Sequence, residues 1–142
     1  MEDQNFKNHA KMVPGFHYLT LPAILIFLIA SVNYFIQSSA ENKDLAIMLC
    51  LLSVIVFLLA WYARGFALKA QDRAIRAEEN FRYYLATGKV FPKELRMGQI
   101  IALRFASDDE FVALTAKAIA ENLTNKQIKE LIKNWKADNN RA

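Results

Sequence analysis

Two stretches of this chain lack any formal charge. Met12 to Ala40 contains no Asp, Glu, Lys or Arg, and Leu45 to Ala63 contains none either. Only Glu41, Lys43 and Asp44 interrupt them. The 19 residues of the second stretch make a helix roughly 28 Å long, close to the ~30 Å hydrocarbon thickness of a bilayer. The pattern predicts a helical hairpin of two membrane spans over 19–63, after an N-terminal segment 1–18 and before a cytoplasmic helical region 64–142. The expected fold class is all-α.

Charge is segregated along the 142 residues: 64–142 hold 15 of the 18 Lys/Arg and 10 of the 14 Asp/Glu. A modestly basic region next to a span suits the cytoplasmic face of an anionic bilayer better than nucleic acid. The N-terminal segment offers Lys7 and Lys11 and the loop Gln37–Asp44 only Lys43, whereas Arg64, Lys69, Arg73, Arg76 and Arg82 follow the second stretch. Basic residues favour the cytoplasm, so both termini are expected there, in the inner membrane, with the short loop outside. Ser38-Ser39-Ala40 resembles a secretory cleavage site. The apolar run before it, at about 18 residues, exceeds a signal core of ~7–15, so the first span is expected to be retained.

Reading along the chain, Met1–Lys11 is polar and expected to be irregular. Val13-Pro14-Gly15 reads as a turn, followed by the headgroup-depth aromatics Phe16, His17 and Tyr18. Thr20 is placed to cap the first span, with Pro22 tolerated in its first turn. Trp61 and Tyr62 form the opposite aromatic belt. No breaker follows Ala63 until Gly88, so the second span is expected to continue as a helical stalk to about Thr87, with Asp72/Arg76 and Glu78/Arg82 as i,i+4 pairs. Three shorter helices are expected next: Pro92 to about Phe105; a helix opened by a capping box at Ser107–Glu110 and running to about Asn122; and one opened by a second box at Thr124–Gln127 and running to about Lys136. Ala137–Ala142 is expected to fray.

Small residues recur at heptad spacing in the spans: Ala23 and Ala30 in the first, Ala46, Ser53 and Ala60 in the second. That spacing lets helix backbones approach closely, so these five form the candidate helix-packing seam. The densely charged stalk residues Lys69, Asp72, Arg73, Arg76, Glu79 and Arg82 form the candidate interaction surface. On the last helix, Ile128, Leu131, Ile132 and Trp135 share a face opposite Lys126, Lys129, Lys133 and Lys136. Lipid would favour lysines flanking the apolar face, so packing on the soluble bundle is the preferred reading over an interfacial helix.

Chemistry-bearing constellations are sparse. His9 and His17 are the only histidines, and Cys50 is the only cysteine. None has a ligand-type neighbour at metal spacing, and Asp108-Asp109-Glu110 is explained by helix capping. No phosphate loop, nucleophile elbow or nucleic-acid module is present. Neither span core carries an ionisable residue of the kind that marks proton or ion pathways. No cofactor is expected.

The segments Gln4–His17 (QNFKNHAKMVPGFH), Phe66–Arg82 (FALKAQDRAIRAEENFR), Ile100–Phe111 (IIALRFASDDEF) and Asn125–Asp138 (NKQIKELIKNWKAD) together resemble a bacterial family of small two-span integral membrane proteins classed as a domain of unknown function. The resemblance implies a cytoplasmic-membrane protein with a helical cytoplasmic domain. It transfers no catalytic, ligand-binding or partner-binding residue to positions here.

The functional expectation is therefore a non-enzymatic, membrane-anchored scaffold or accessory subunit. Its cytoplasmic helices would bind another protein or a copy of the same chain, with membrane lipid as the other partner and no nucleic acid. One alternative is a small oligomeric channel lined by Ser31, Asn33 and Ser53. Another is an interfacial enzyme using His17, Asp108, Asp109 or Glu110.

Overall fold

The computed structural model describes residues 5–6 and 12–138. The expectations for Lys7, His9, Lys11 and the extreme C-terminus lie outside the described residues. The chain divides into two compact units, one of Met12–Ala67 and one built on 68–138 to which Asn5 and Phe6 also belong. The described secondary structure is helical, apart from one isolated bridge. The elements are α1 (Leu21–Gln37), α2 (Lys43–Thr87), α3 (Met97–Leu103), α4 (Asp108–Ala120) and α5 (Asn125–Leu131), with a π-helical turn at Gly15–Thr20 and a 3-10 turn at Ala40–Asn42.

In the first unit, helical structure begins earlier than the sequence suggests. Pro14 is already in the right-handed helical region (φ −57°, ψ −46°), and the widened turn Gly15–Thr20 leads straight into α1. Val13-Pro14-Gly15 is thus a helix start rather than a turn, because proline's fixed φ is pre-organised for it. Thr20 does not cap; its hydroxyl donates back to the Gly15 carbonyl at 3.0 Å. Pro22 explains the wide turn. It has no N–H for the carbonyl four residues back, and its ring crowds that position, so Leu21 N–H reaches Phe16 O, five back.

The helical segments Gly15–Gln37 and Ala40–Thr87 each contain a window of high mean hydropathy, 2.1 and 2.7, of which only 11% is buried. Both are long and apolar enough to cross a membrane. Hydroxyls within them are satisfied locally: Ser31 Oγ donates to Phe27 O and Ser53 Oγ to Cys50 O, both at 2.7 Å. That matters wherever water is absent, since an unsatisfied polar group is costly there. Cys50 Sγ donates weakly to Ser31 O at 3.4 Å, joining the two helices. Lys43, the one basic residue of the loop, donates to Phe35 O at 2.8 Å and lies over the Phe35 ring. With the Ser38 hydroxyl, which donates to the same oxygen at 3.0 Å, it satisfies a carbonyl at the C-terminus of α1, where a positive charge is favoured.

α2 is unbroken for 45 residues and ends at Gly88 (φ +70°), whose N–H bonds to Tyr84 O at 2.8 Å. Glycine tolerates that left-handed φ without a Cβ penalty, so the expected stop falls where the sequence puts it.

The three short helices of the second unit are all shorter than expected. α3 starts at Met97, not Pro92, because the Gln99 side chain accepts the Arg96 N–H at 2.8 Å and fixes the helix start there. It stops at Leu103, since Phe105 and Ala106 turn away to meet the C-terminal segment: Lys136 N–H donates to Phe105 O at 2.7 Å and Ser107 N–H to Asn134 O at 3.0 Å. α4 begins at Asp108 as expected, yet the Ser107 side chain makes no capping bond. Glu110 instead accepts the N–H groups of Lys133 and Asn134 at 3.1 and 3.0 Å. That capture ends α5 at Leu131, with Ile132 extended. The Thr124–Gln127 capping box forms as expected. Trp135 therefore reaches the core through the bridge to Ala106, with its ring 5.1 Å from Phe105, rather than along a helix face. Asp138, within the expected tail, pairs with the buried Arg104 at 3.1 Å.

The core of this unit gathers Ile75 from α2 with Leu95, Ile100, Leu103, Phe105, Phe111, Leu114 and Ile128. Gln99 is one of the buried polar residues of this unit. Its amide donates to Ala118 O and Leu123 O at 3.0 and 3.1 Å, so each end of the side chain is used.

Candidate interaction surface

The 68–87 part of α2 has two faces of different character. Ile75, Glu79, Arg82 and Tyr83 lie on one, buried or half-buried against the short helices. Arg82 is the centre of that contact. It donates to Glu79 at 3.0 Å, to Asp108 at 2.6 Å and to Ala106 O at 2.7 Å, and its guanidinium lies 4.0 Å from the centre of the Phe111 ring. A planar five-donor fork is suited to hold so many partners at once. Phe111 also meets Tyr83 and Phe91 with ring centroids 6.2 and 6.0 Å apart.

The six charged residues of the expected interaction surface separate between these faces. Glu79 is buried, Arg82 and Asp72 are half-buried, and Lys69, Arg73 and Arg76 are exposed. The expected Glu78/Arg82 pair is replaced by Glu79/Arg82, because Asp108 and Ala106 O draw the guanidinium toward the core. Arg73 and Arg76 instead border a shallow groove of about 510 Å³ with Ala77, Asn80, Val90 and Phe91. Asn80 shapes it by accepting the Phe91 N–H at 2.7 Å.

The opposite face of this helix carries what charge-based reading misses. Phe81, Tyr84 and Leu85 are 61, 50 and 70% exposed, and Ala70, Ala74 and Ala77 continue the same exposed stripe. Large apolar side chains clustered on a solvent-facing helix are the informative exception among surface residues. The signal was present in the sequence: counting on in sevens from Ala46, Ser53 and Ala60 reaches Ala67, Ala74 and Phe81.

In the other unit, Ala46 and Ser53 are buried and Ala60 is half-buried, while Ala23 and Ala30 are exposed. The buried positions of α1 are Ile24 and Ser31, one residue further on. Ala23 and Ala60 line an apolar groove of about 660 Å³ between the two helices, with Ile24, Phe27, Val56 and Ala63.

Three of the four residues weighed for chemistry have structural partners. Asp108 holds Arg82, Glu110 holds two backbone amides, and His17 Nδ1 lies 3.0 Å from the Val13 carbonyl in its own turn. Of the polar residues considered for a pore, Asn33 accepts from Gln37 at 2.8 Å, and the Ser31 and Ser53 hydroxyls bond to their own helices. Among the described residues no cluster of three or more His, Cys, Asp or Glu is placed to hold a metal ion.

An all-α chain with two helices long and apolar enough for a membrane, and a small packed unit bearing an exposed apolar helix face, defines the class. The chain belongs to the Family of unknown function (DUF6526), whose model matches residues 1–142. No curated protein and no solved structure matches it.

Proposed function

We propose that this protein is a non-enzymatic inner-membrane scaffold or accessory subunit. Its two apolar helices would anchor it with both termini in the cytoplasm, and the 68–138 unit would bind a protein partner there. The exposed row of Phe81, Tyr84 and Leu85 carries this reading, because it lies outside the apolar stretches and so is not explained by contact with lipid. A water-facing helix keeps such side chains at a cost in solubility unless something covers them. The stretch from Lys69 to Arg76 adds a basic border that favours an anionic membrane surface alongside it.

The test is chemical crosslinking in native membranes together with the size of the protein in mild detergent. The expected result is a defined species larger than the monomer by both methods. A strictly monomeric protein that captures no neighbour would contradict the proposal.

A further inference from the structure

We infer that the face covering Phe81 and Tyr84 is the same face of a second copy, packed in parallel and in register. This rests on the membrane-anchored reading above and names its partner. Three observations converge on it. Ala70, Ala74, Ala77, Phe81 and Tyr84 alternate at intervals of four and three residues, the repeat by which two helices keep one seam in contact. All five are exposed, on the side away from the face holding Ile75, Glu79 and Arg82. The borders of the stripe are complementary in charge: Arg73 runs along one side and Glu78 along the other, both exposed.

That last point selects the partner and its direction. In a parallel pair in register, the residue before one core position faces the residue five places on in the other helix. Arg73 of each copy then meets Glu78 of the other, twice by symmetry. Within one copy the two lie on opposite borders and do not reach each other. Two copies anchored in one membrane share an orientation, so parallel packing needs no rearrangement. The alanines allow close backbone approach near the membrane end, and the aromatics supply apolar area further on. So short a seam is marginal between free helices. Confinement to one bilayer raises the effective concentration and offsets that weakness.

The test uses the full chain in native membranes, with Cys50→Ser removing the single cysteine. Ala70→Cys, Ala74→Cys and Ala77→Cys are compared under mild oxidation with Arg76→Cys and Ala86→Cys, which lie off the stripe. The three stripe positions are expected to give disulfide-linked dimers about tenfold more readily than the other two. Separately, in the Ala74→Cys background, Arg73→Glu or Glu78→Arg alone is expected to lower the dimer yield several-fold, and the two together to restore it. Equal crosslinking at all five positions, no crosslinking at any, or failure of the double reversal to restore the yield would each overturn the inference. Absence of these dimers from a protein that still captures a different neighbour overturns self-pairing and leaves the scaffold reading standing.

Discussion

Phe111→Ala is expected to remove a large part of the stability of the 68–138 unit. The ring is 1% exposed, meets Tyr83 and Phe91 edge-on, and forms the floor beneath the Arg82 guanidinium. Truncating a fully buried phenylalanine costs about 3–5 kcal/mol through lost transfer energy and the cavity left behind. A unit of this size has a total stability of only about 4–10 kcal/mol. The measurement is urea unfolding of the detergent-solubilised chain followed by Trp135 fluorescence. Trp61→Phe in the background makes Trp135 the sole reporter, since the chain has two tryptophans. The midpoint is expected to fall by about 2 M or more, at the slopes typical of small domains. A shift under about 0.5 M would show that Phe111 is not the centre of this core.

Arg82→Met is expected to cost about 3 kcal/mol, for a different reason. The loss of its bond to Asp108 matters little, because that carboxylate is 80% exposed and water replaces the arginine. Glu79 is the costly orphan: its side chain is 11% exposed, and Arg82 is its ion-pair partner at 3.0 Å. Removing one member of a buried pair leaves an uncompensated charge, and the Ala106 carbonyl loses its donor as well. The signature of this cause is recovery. Adding Glu79→Gln to Arg82→Met is expected to restore about 1 kcal/mol or more in the same urea assay. A double variant less stable than Arg82→Met would contradict it.

What the sequence made legible was local. α2 could be traced to Thr87 because its two halves, one apolar and one rich in helix formers, lack any breaker before Gly88. The Thr124–Gln127 box opens α5 because both its partners lie within one turn. The misplaced ends have nonlocal causes. α5 stops at Leu131 because Glu110, 23 and 24 residues earlier in the chain, takes the amides that would have continued the helix. Likewise, Arg82 turns from Glu78 to Glu79 because Asp108 and the Ala106 carbonyl, 26 and 24 residues away, draw it inward. Local spacing offers a carboxylate several plausible partners, and only the folded chain selects among them.

The candidate surface was half legible for a related reason. Charge density identified the right stretch of α2 but not the right face. Glu79 and Arg82 serve the core, whereas the alanines and aromatics between the charges are what the helix leaves uncovered. Charged side chains invite a surface reading by default, and only burial shows which have been consumed.

In the topology proposed above, two spans hold the 68–138 unit on the cytoplasmic side, and labelling with a membrane-impermeant maleimide tests that most directly. In a Cys50→Ser background, Ser39→Cys marks the loop and Arg76→Cys marks the second unit. Ser39→Cys is predicted to react in intact spheroplasts and Arg76→Cys only in inverted vesicles, with both proteins retained in the pellet after alkaline carbonate. Reaction of Arg76→Cys in intact spheroplasts, or release of the protein by carbonate, would contradict the account.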